Sequence, residues 1–327
     1  MEEQMIQKTG RRSFFLAGAS LAAASSLPSF SVKAQDFSKP LRIIVAFPAG
    51  GVADIGVRAF AEQWTQITKQ NVVVDNRPGG SFQIAMQQMV TAPADGNTWL
   101  HLSNAMSAAQ ASFGRFDLLK QLTPVAMAGG TPGAIFVSQD SPIRTPKDLI
   151  DAVKANPAKA NYGAILGGND HLTIVSSLRN YGASATLVPF RGGPDTITAL
   201  AQNEILFAYS ALPLIIPFKG KVRVIAVLTS QRSPMLPDVP TYKELGFNTP
   251  EVDLWGGFAV PSATPAAIVK GLYPHVVETM KTPAVISKFT AQGIVPKYAP
   301  GEELARIIAD EVKWMTPVAA ELNLKAG

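Results

Sequence analysis

Residues 41–58 read LRIIVAFPAGGVADIGVR, and this segment restricts what the chain can fold into more than any other. The apolar run 41–47 has the composition of a buried strand. It breaks at Pro48, passes Gly50 and Gly51, and gives way to a helical pattern near Ala53. A strand, a tight turn and a helix in that order predict an α/β unit. Such a unit leaves backbone N–H groups unpaired at the helix N-terminus, facing the crevice beyond the strand's carboxyl end. That arrangement suits an anion, and glycine lets a ligand approach the backbone closely. The segment also reads as an ordinary βα turn, since fold does not dictate function.

The same alternation continues downstream. Residues 72–75 predict a strand, 76–80 a turn and 82–90 a helix. Residues 98–102 predict a strand that ends in a polar loop, 103–110. The stretch 123–138 is long and β-like, interrupted by Gly129 and Gly130. Thr145 precedes Pro146 as the N-cap of a helix over 146–155, with an acidic residue following. A strand over 161–164 and a helix over 172–181 come next, then strands over 186–189, 205–209 and 222–229. Two or three helices close the chain, the last over 302–322. Strands separated by helices predict α/β lobes with mostly parallel sheets. Gly-Gly pairs recur at 50–51, 79–80, 129–130, 167–168, 192–193 and 256–257, mostly after a predicted strand or in a loop. Two lobes facing each other would bring several of these turns to one cleft. No sequence repeat is evident.

The first 34 residues predict an export signal. Arg11 and Arg12 precede a short apolar stretch, 14–27, and Val32-Lys33-Ala34 offers a small-residue cleavage site before Gln35. Paired arginines followed by Ser13, Phe14, Phe15 and Leu16 match a twin-arginine signal; the alternative is a Sec signal that contains two arginines. Cleavage near Ala34 places the mature protein in the periplasm. No cysteine follows Ala34, so a lipid anchor there is not expected. Later apolar runs are too short to span a bilayer, and 212–218 carries two prolines.

About 290 residues then remain, which suits two lobes better than one core. The chain has no cysteine, which excludes disulfides, Cys-based metal sites and thiol catalysis. Its net charge is +5, and +3 once Lys8, Arg11, Arg12, Lys33, Glu2 and Glu3 are removed with the signal. No basic run interleaved with aromatics appears, so nucleic acid is not an expected partner. The only histidines are His101, His171 and His275, with no Gly-x-Ser-x-Gly elbow and no close His pair. No catalytic residue, metal or cofactor is expected, and a periplasmic hydrolase is the least supported reading.

Gly50 and Gly51 are the predicted anion cradle. Asp54, in the first helical turn, reads either as a dipole partner or as a ligand contact. Ser103, Asn104 and Ser107 follow a strand's carboxyl end, where hydroxyl and amide groups can donate to a carboxylate; a plain polar turn is the alternative. Asn169 or Asp170 reads as the cap of the helix near 172, and His171 as a brace to a neighbouring loop. Alternatively, an Asp170 facing the cleft would select an amino or amide group, or repel dianions. Phe190, Trp255 and Phe258 would pack either against an apolar ligand body or in the core.

Four motifs in order carry a family resemblance. They are Phe47 to Asp54 with Arg58; Val72 to Gly79, then Ala92 to Thr98; Val188 to Gly193; and Leu236 to Thr241, then Gly246-Phe247, Trp255-Gly256-Gly257 and Thr264-Pro265. From Pro40 to about Leu322 the chain resembles the periplasmic substrate-binding proteins of tripartite tricarboxylate transporters, the Bug or TctC type. The resemblance implies an α/β two-lobed periplasmic binding protein fold with a ligand cleft between the lobes. The expected division is lobe 1 at 35–132 and 254–327, and lobe 2 at 133–253. It implies a monomeric solute-binding receptor that captures a small carboxylate and delivers it to membrane transporter subunits, with docking on a sensor kinase as the alternative. Together with the positional readings above, the expected ligand contacts are Phe47, Ala49, Gly50, Gly51, Asp54, Ser103, Asn104, Ser107, Gly168, Asn169, Asp170, His171, Phe190 and Ser210. The chain departs from the family pattern at Ala53, where Thr or Ser is frequent, and at Asn169 and Asp170, where small residues or Ser are common. It departs again at Ser210, where Asp or Asn is common.

Overall fold

A computed structural model describes residues 36–229, 231–247 and 253–324. The expected export signal and its cleavage site lie outside the described residues. The chain begins with β1 (Leu41–Val45), α1 (Val52–Thr68) and β2 (Val72–Asn76). A short 3₁₀ turn leads into α2 (Gln83–Val90) and β3 (Thr98–Ser103). β1 pairs in parallel with both β2 and β3; its Leu41, Ile43, Ile44 and Val45 are buried, while Arg42 reaches Asp75 of β2. α1 buries Val57, Phe60, Ala61 and Trp64 on one face. Trp64 meets Trp99 edge-on at 5.0 Å, and Phe60 lies 4.6 Å from Phe258, ring centre to ring centre. These large aromatics anchor the first sheet to its helices.

The expected polar loop at 103–110 is instead α3 (Asn104–Phe113), begun by Ser103 in extended N-cap geometry. Its Ser and Asn content suggests a turn, but Met106 and Ala109 pack into one core cluster and Ala108 and Ala111 into another, and tertiary packing on both sides decides the outcome. α4 (Leu118–Gln121) leads to β4 (Leu122–Ser138), a single strand in which Gly129 sits at a bulge rather than a break.

The second half runs through α5 (Pro146–Ala155), β5 (Asn161–Ala164), α6 (Asn169–Arg179), β6 (Thr186–Pro189), α7 (Gly193–Ala201), β7 (Phe207–Ala211) and β8 (Val222–Val227). It returns through β9 (Asp253–Pro261), α8 (Ala266–Met280), α9 (Pro283–Ala291), β10 (Ala299–Pro300) and α10 (Gly301–Glu321). α5 starts with the expected Thr145 cap, completed into a capping box by Asp148. α6 starts three residues earlier than expected. Gly168 takes the N-cap position, which puts Asn169 and Asp170 inside the first turn.

β4 serves two sheets. Residues 122–132 pair antiparallel with β9, which also pairs with β3. Residues 133–138 pair with β7 and β8, and β7 continues to β5 and β6. The change falls at Pro132-Gly133. Proline has no N–H for a ladder, and a methyl group at Gly133 would overlap the ring and hydroxyl of buried Tyr209. Gly133→Ala is therefore expected to lose about 1–3 kcal/mol, the usual cost of overpacking. Urea unfolding measures it, and an unchanged midpoint would show that Tyr209 can move aside.

Candidate functional site

Two βα turns, one in each sheet, have the same backbone geometry. In the first, Gly50 has φ 81°, a left-handed conformation, and Gly51 follows at φ −75°, ψ 167°. In the second, Gly167 has φ 69° and Gly168 follows at φ −77°, ψ 168°. Gly51 N–H donates to Pro48 O at 3.4 Å, and Gly168 N–H donates to Ile165 O at 2.8 Å. The first helical bonds, Ile55 N–H to Gly51 O and Leu172 N–H to Gly168 O, also correspond. Gly50 N–H donates to Asp54 Oδ2 at 2.9 Å, and Gly167 N–H donates to His171 Nδ1 at 3.1 Å, each four residues ahead. Only glycine adopts the left-handed position without strain, so each pair gives its helix the same start.

Neither α1 nor α6 has a side-chain cap. The amides of Val52 and Ala53 therefore find no partner within α1, and the dipole places partial positive charge there. Ala49, Gly50, Gly51 and Val52 are exposed. The Gly50 amide is already committed to Asp54, so the donors open to an anion begin at Val52, one step later than the glycines themselves.

Asp54 braces this loop. It is buried, and it accepts from Gly50, from Arg58 Nε at 3.0 Å and from Asn76 Nδ2 at 2.9 Å. Burial alone would raise its carboxyl, but the bonds from Arg58, Gly50 and Asn76 outweigh it and hold the group below the usual carboxylate range. Asn76 also donates to Phe47 O at 3.1 Å and accepts from Arg58 Nη2 at 3.0 Å. It ties strand, turn and helix together, although in the sequence it reads only as the first residue of a turn.

The remaining candidates fall into separate groups. The Phe47 ring lies edge-on to Phe82 at 5.4 Å and to His101 at 6.4 Å. His101 was not among the candidates. Its Nδ1 is buried without a partner, and burial holds the imidazole neutral, pushed down to about 4. Ser103 Oγ is likewise unpartnered at the start of α3, and Asn104 beside it is buried. Ser107 is fully buried near Glu311 of α10. Glu311 accepts from Trp255 Nε1 at 2.7 Å, while its Oε2 has no partner, and burial pushes the carboxyl up to about 7.

In the second turn, Asp170 Oδ2 accepts from Ile165 N–H at 2.8 Å, so this carboxylate folds back on its own loop as Asp54 does. Burial pushes it up to about 6, opposed by backbone bonds from Ile165, His171 and Asp170 itself. His171 accepts from Gly167 through Nδ1, which places its proton on Nε2, and burial lowers it to about 4. Asn169 is buried, with both amide atoms unpartnered. Ser112 Oγ of α3 donates to Gly167 O at 2.9 Å, which joins α3 to this turn. Phe190 packs beside Gly163 and belongs with the second sheet's core, and Ser210 lies where a Cβ on Gly193 would stand 2.6 Å from its Oγ. Phe258 and Trp255 are core residues, the first in the Phe60–Trp99 cluster and the second bonded to Glu311. Among the described residues, no group of three or more His, Asp or Glu side chains could hold a metal ion, and no helix is long and apolar enough to cross a membrane.

Comparison with known proteins agrees with this architecture. The family described as tripartite tricarboxylate transporter family receptor matches residues 57–324. Protein BugT of Bordetella pertussis is 29% identical over 322 residues, covering 95% of this chain and 96% of BugT. The solved structure of R. palustris Rpa4515 with adipate is 27% identical, with a TM-score of 0.76, covering 86% of this chain and 98% of that one. The periplasmic binding protein BugD is 26% identical, with a TM-score of 0.71, covering 88% and 98%.

Proposed function

Because the chain belongs to the tripartite tricarboxylate transporter receptor family, whose members are binding proteins and not enzymes, we propose that it captures a small organic acid for membrane transporter subunits. The observation that carries this reading is the uncapped start of α1. Its exposed turn offers the Val52 and Ala53 amides to a carboxylate, braced from behind by Asp54. Backbone donors already held in place need little ordering on binding. The likeness to a protein solved with adipate supports the same ligand class. A thermal-shift screen of small mono- and dicarboxylates tests it. A ligand at 100 times its Kd adds about 2.7 kcal/mol of stability, a readily visible shift. If no carboxylate moves the transition, the reading fails.

The lobes are proposed to divide at residues 132/133 and 253/254, with β4 as the main crossing strand and closure by hinge motion. The support is β4's change of partners at Gly133. A smaller radius of gyration in solution scattering on addition of an active carboxylate is the expected result; an unchanged profile counts against hinge closure.

Export is proposed to follow the twin-arginine route to the periplasm, on the strength of Arg11 and Arg12 before a short apolar segment. Arg11→Lys with Arg12→Lys is expected to leave uncleaved precursor in the cytoplasm. Normal export in a strain lacking the twin-arginine translocase would reject the route.

A further inference from the structure

Asn169 distinguishes the second turn from the first. It is the first residue of α6, at the position that exposed Val52 holds in α1. The residue is 5% exposed, and its buried Oδ1 and Nδ2 have no hydrogen-bond partner. Cβ vectors in a helix tilt toward its N-terminus, so this amide leans toward the uncapped end of α6. Buried side-chain amides are almost always paired, which points to a group absent from the protein itself.

The chemistry of that group follows from what Asn169 offers. A primary amide presents donors at Nδ2 and an acceptor at Oδ1. A carboxylate would satisfy Nδ2 and leave Oδ1 bare. An ammonium would do the reverse, and a methyl group would satisfy neither. A carboxamide or a hydroxyl satisfies both. The charges nearby argue the same way. Asp170 stands next in sequence, with its carboxylate folded against the Ile165 amide, and opposes a second anion. His171 is neutral, with Nδ1 committed to Gly167. No Lys or Arg occurs between Asn161 and Leu178, Arg179 is paired with Glu321, and Arg115, just past the end of α3 that packs on this turn, lies over the Phe113 ring.

We propose that the ligand carries, besides the carboxylate held at α1, a neutral group that both donates and accepts a hydrogen bond, seated on Asn169 at the start of α6. This rests on the receptor reading above and narrows it from carboxylates in general to amide or hydroxy acids.

Calorimetry on the full mature chain tests it with probes that share one carboxylate and differ at the far end. These are glutaramate, δ-hydroxyvalerate, glutarate, δ-aminovalerate and valerate, together with their homologues one carbon shorter and longer. Within the best-fitting length, the amide or hydroxy acid is expected to bind about ten-fold tighter than the diacid, the amino acid and the plain acid, the worth of one satisfied pair. Asn169→Leu should bring the amide and hydroxy acids down to the plain acid without weakening the latter. Asn169→Asp, close in shape and useful if the Leu variant misfolds, should move the preference to δ-aminovalerate. A diacid that binds tightest, or an unchanged ranking in a folded variant, overturns the inference and leaves the receptor reading intact. Failure of every probe, the plain acids included, overturns both.

Discussion

Gly51→Val is expected to fold normally and to bind carboxylates about 100-fold more weakly, the combined worth of two hydrogen bonds to a charged group. The backbone at Gly51 is extended, φ −75° and ψ 167°, a conformation open to any residue. A Cβ there would meet only Pro48 O, at an ordinary 3.4 Å. The branched side chain would stand over the open amides of Val52 and Ala53 and block a carboxylate from reaching them. Gly50 is the poorer test, because its φ of 81° makes any side chain strain the turn, and lost binding would then report lost structure. Calorimetry with the tightest carboxylate decides. Unchanged affinity in a folded Gly51→Val protein would remove the first turn from the site. The companion variant is Arg191→Gln, because Arg191 is exposed in the turn before α7. It should change affinity by less than about three-fold, as expected of a long exposed side chain outside the principal contact. A loss there as large as in Gly51→Val would replace the backbone cradle with an ion-pair clamp.

The second large effect concerns stability and pH. Burial raises Glu311 from its ordinary range to about 7, against the smaller opposing influence of Ser107 and Trp255. The folded protein therefore holds this proton more tightly than the unfolded chain. Stability from the group is complete below about pH 4.5, declines as pH rises toward 7, and stays lost above that, by at most about 3 kcal/mol. Asp170, raised to about 6, acts in the same sense over a lower window. His101 and His171, both lowered to about 4 by burial, act oppositely: their contribution rises between about pH 4 and 6.5. These opposed contributions overlap in the wild-type profile, so the informative quantity is the difference between proteins. Glu311→Gln keeps an acceptor for Trp255 and cannot ionise. It should be more stable than wild type at pH 8 by about 1–3 kcal/mol and equal to it or slightly weaker at pH 4.5. Urea unfolding across that range measures both. A constant difference at all pH values would mean that Glu311 titrates normally.

Much of this protein is legible residue by residue. The largely apolar run of β1, the Gly50-Gly51 turn, and Thr145 with Pro146 and Asp148 at α5 are local signals, and each element forms where those signals place it. Other features carry no local mark. Ser103 and Asn104 look like a turn, and α3 exists because its Met and Ala residues are buried on two sides, in separate core clusters. The two cradles share a Gly-Gly pair that the sequence displays, but the residues before it differ, Pro48-Ala49 and Ile165-Leu166, and the common backbone geometry is seen only in the fold.

Asp54 carries the same contrast to the site. Its place in a first helical turn is visible in the sequence, yet the question of brace or ligand contact turns on Asn76, 22 residues away, which reaches back to hold it. Glu311 reads as one more acid on an amphipathic helix until Trp255 and Ser107 close over it. Where backbone can turn and which segments must be covered is legible along the chain, because steric limits and apolar periodicity act between near neighbours. Which polar groups are consumed and which stay open is set by the folded chain, because a hydrogen bond or the loss of water at a given atom depends on chain brought there from elsewhere. Asn169 is open and Asp54 is not for that reason.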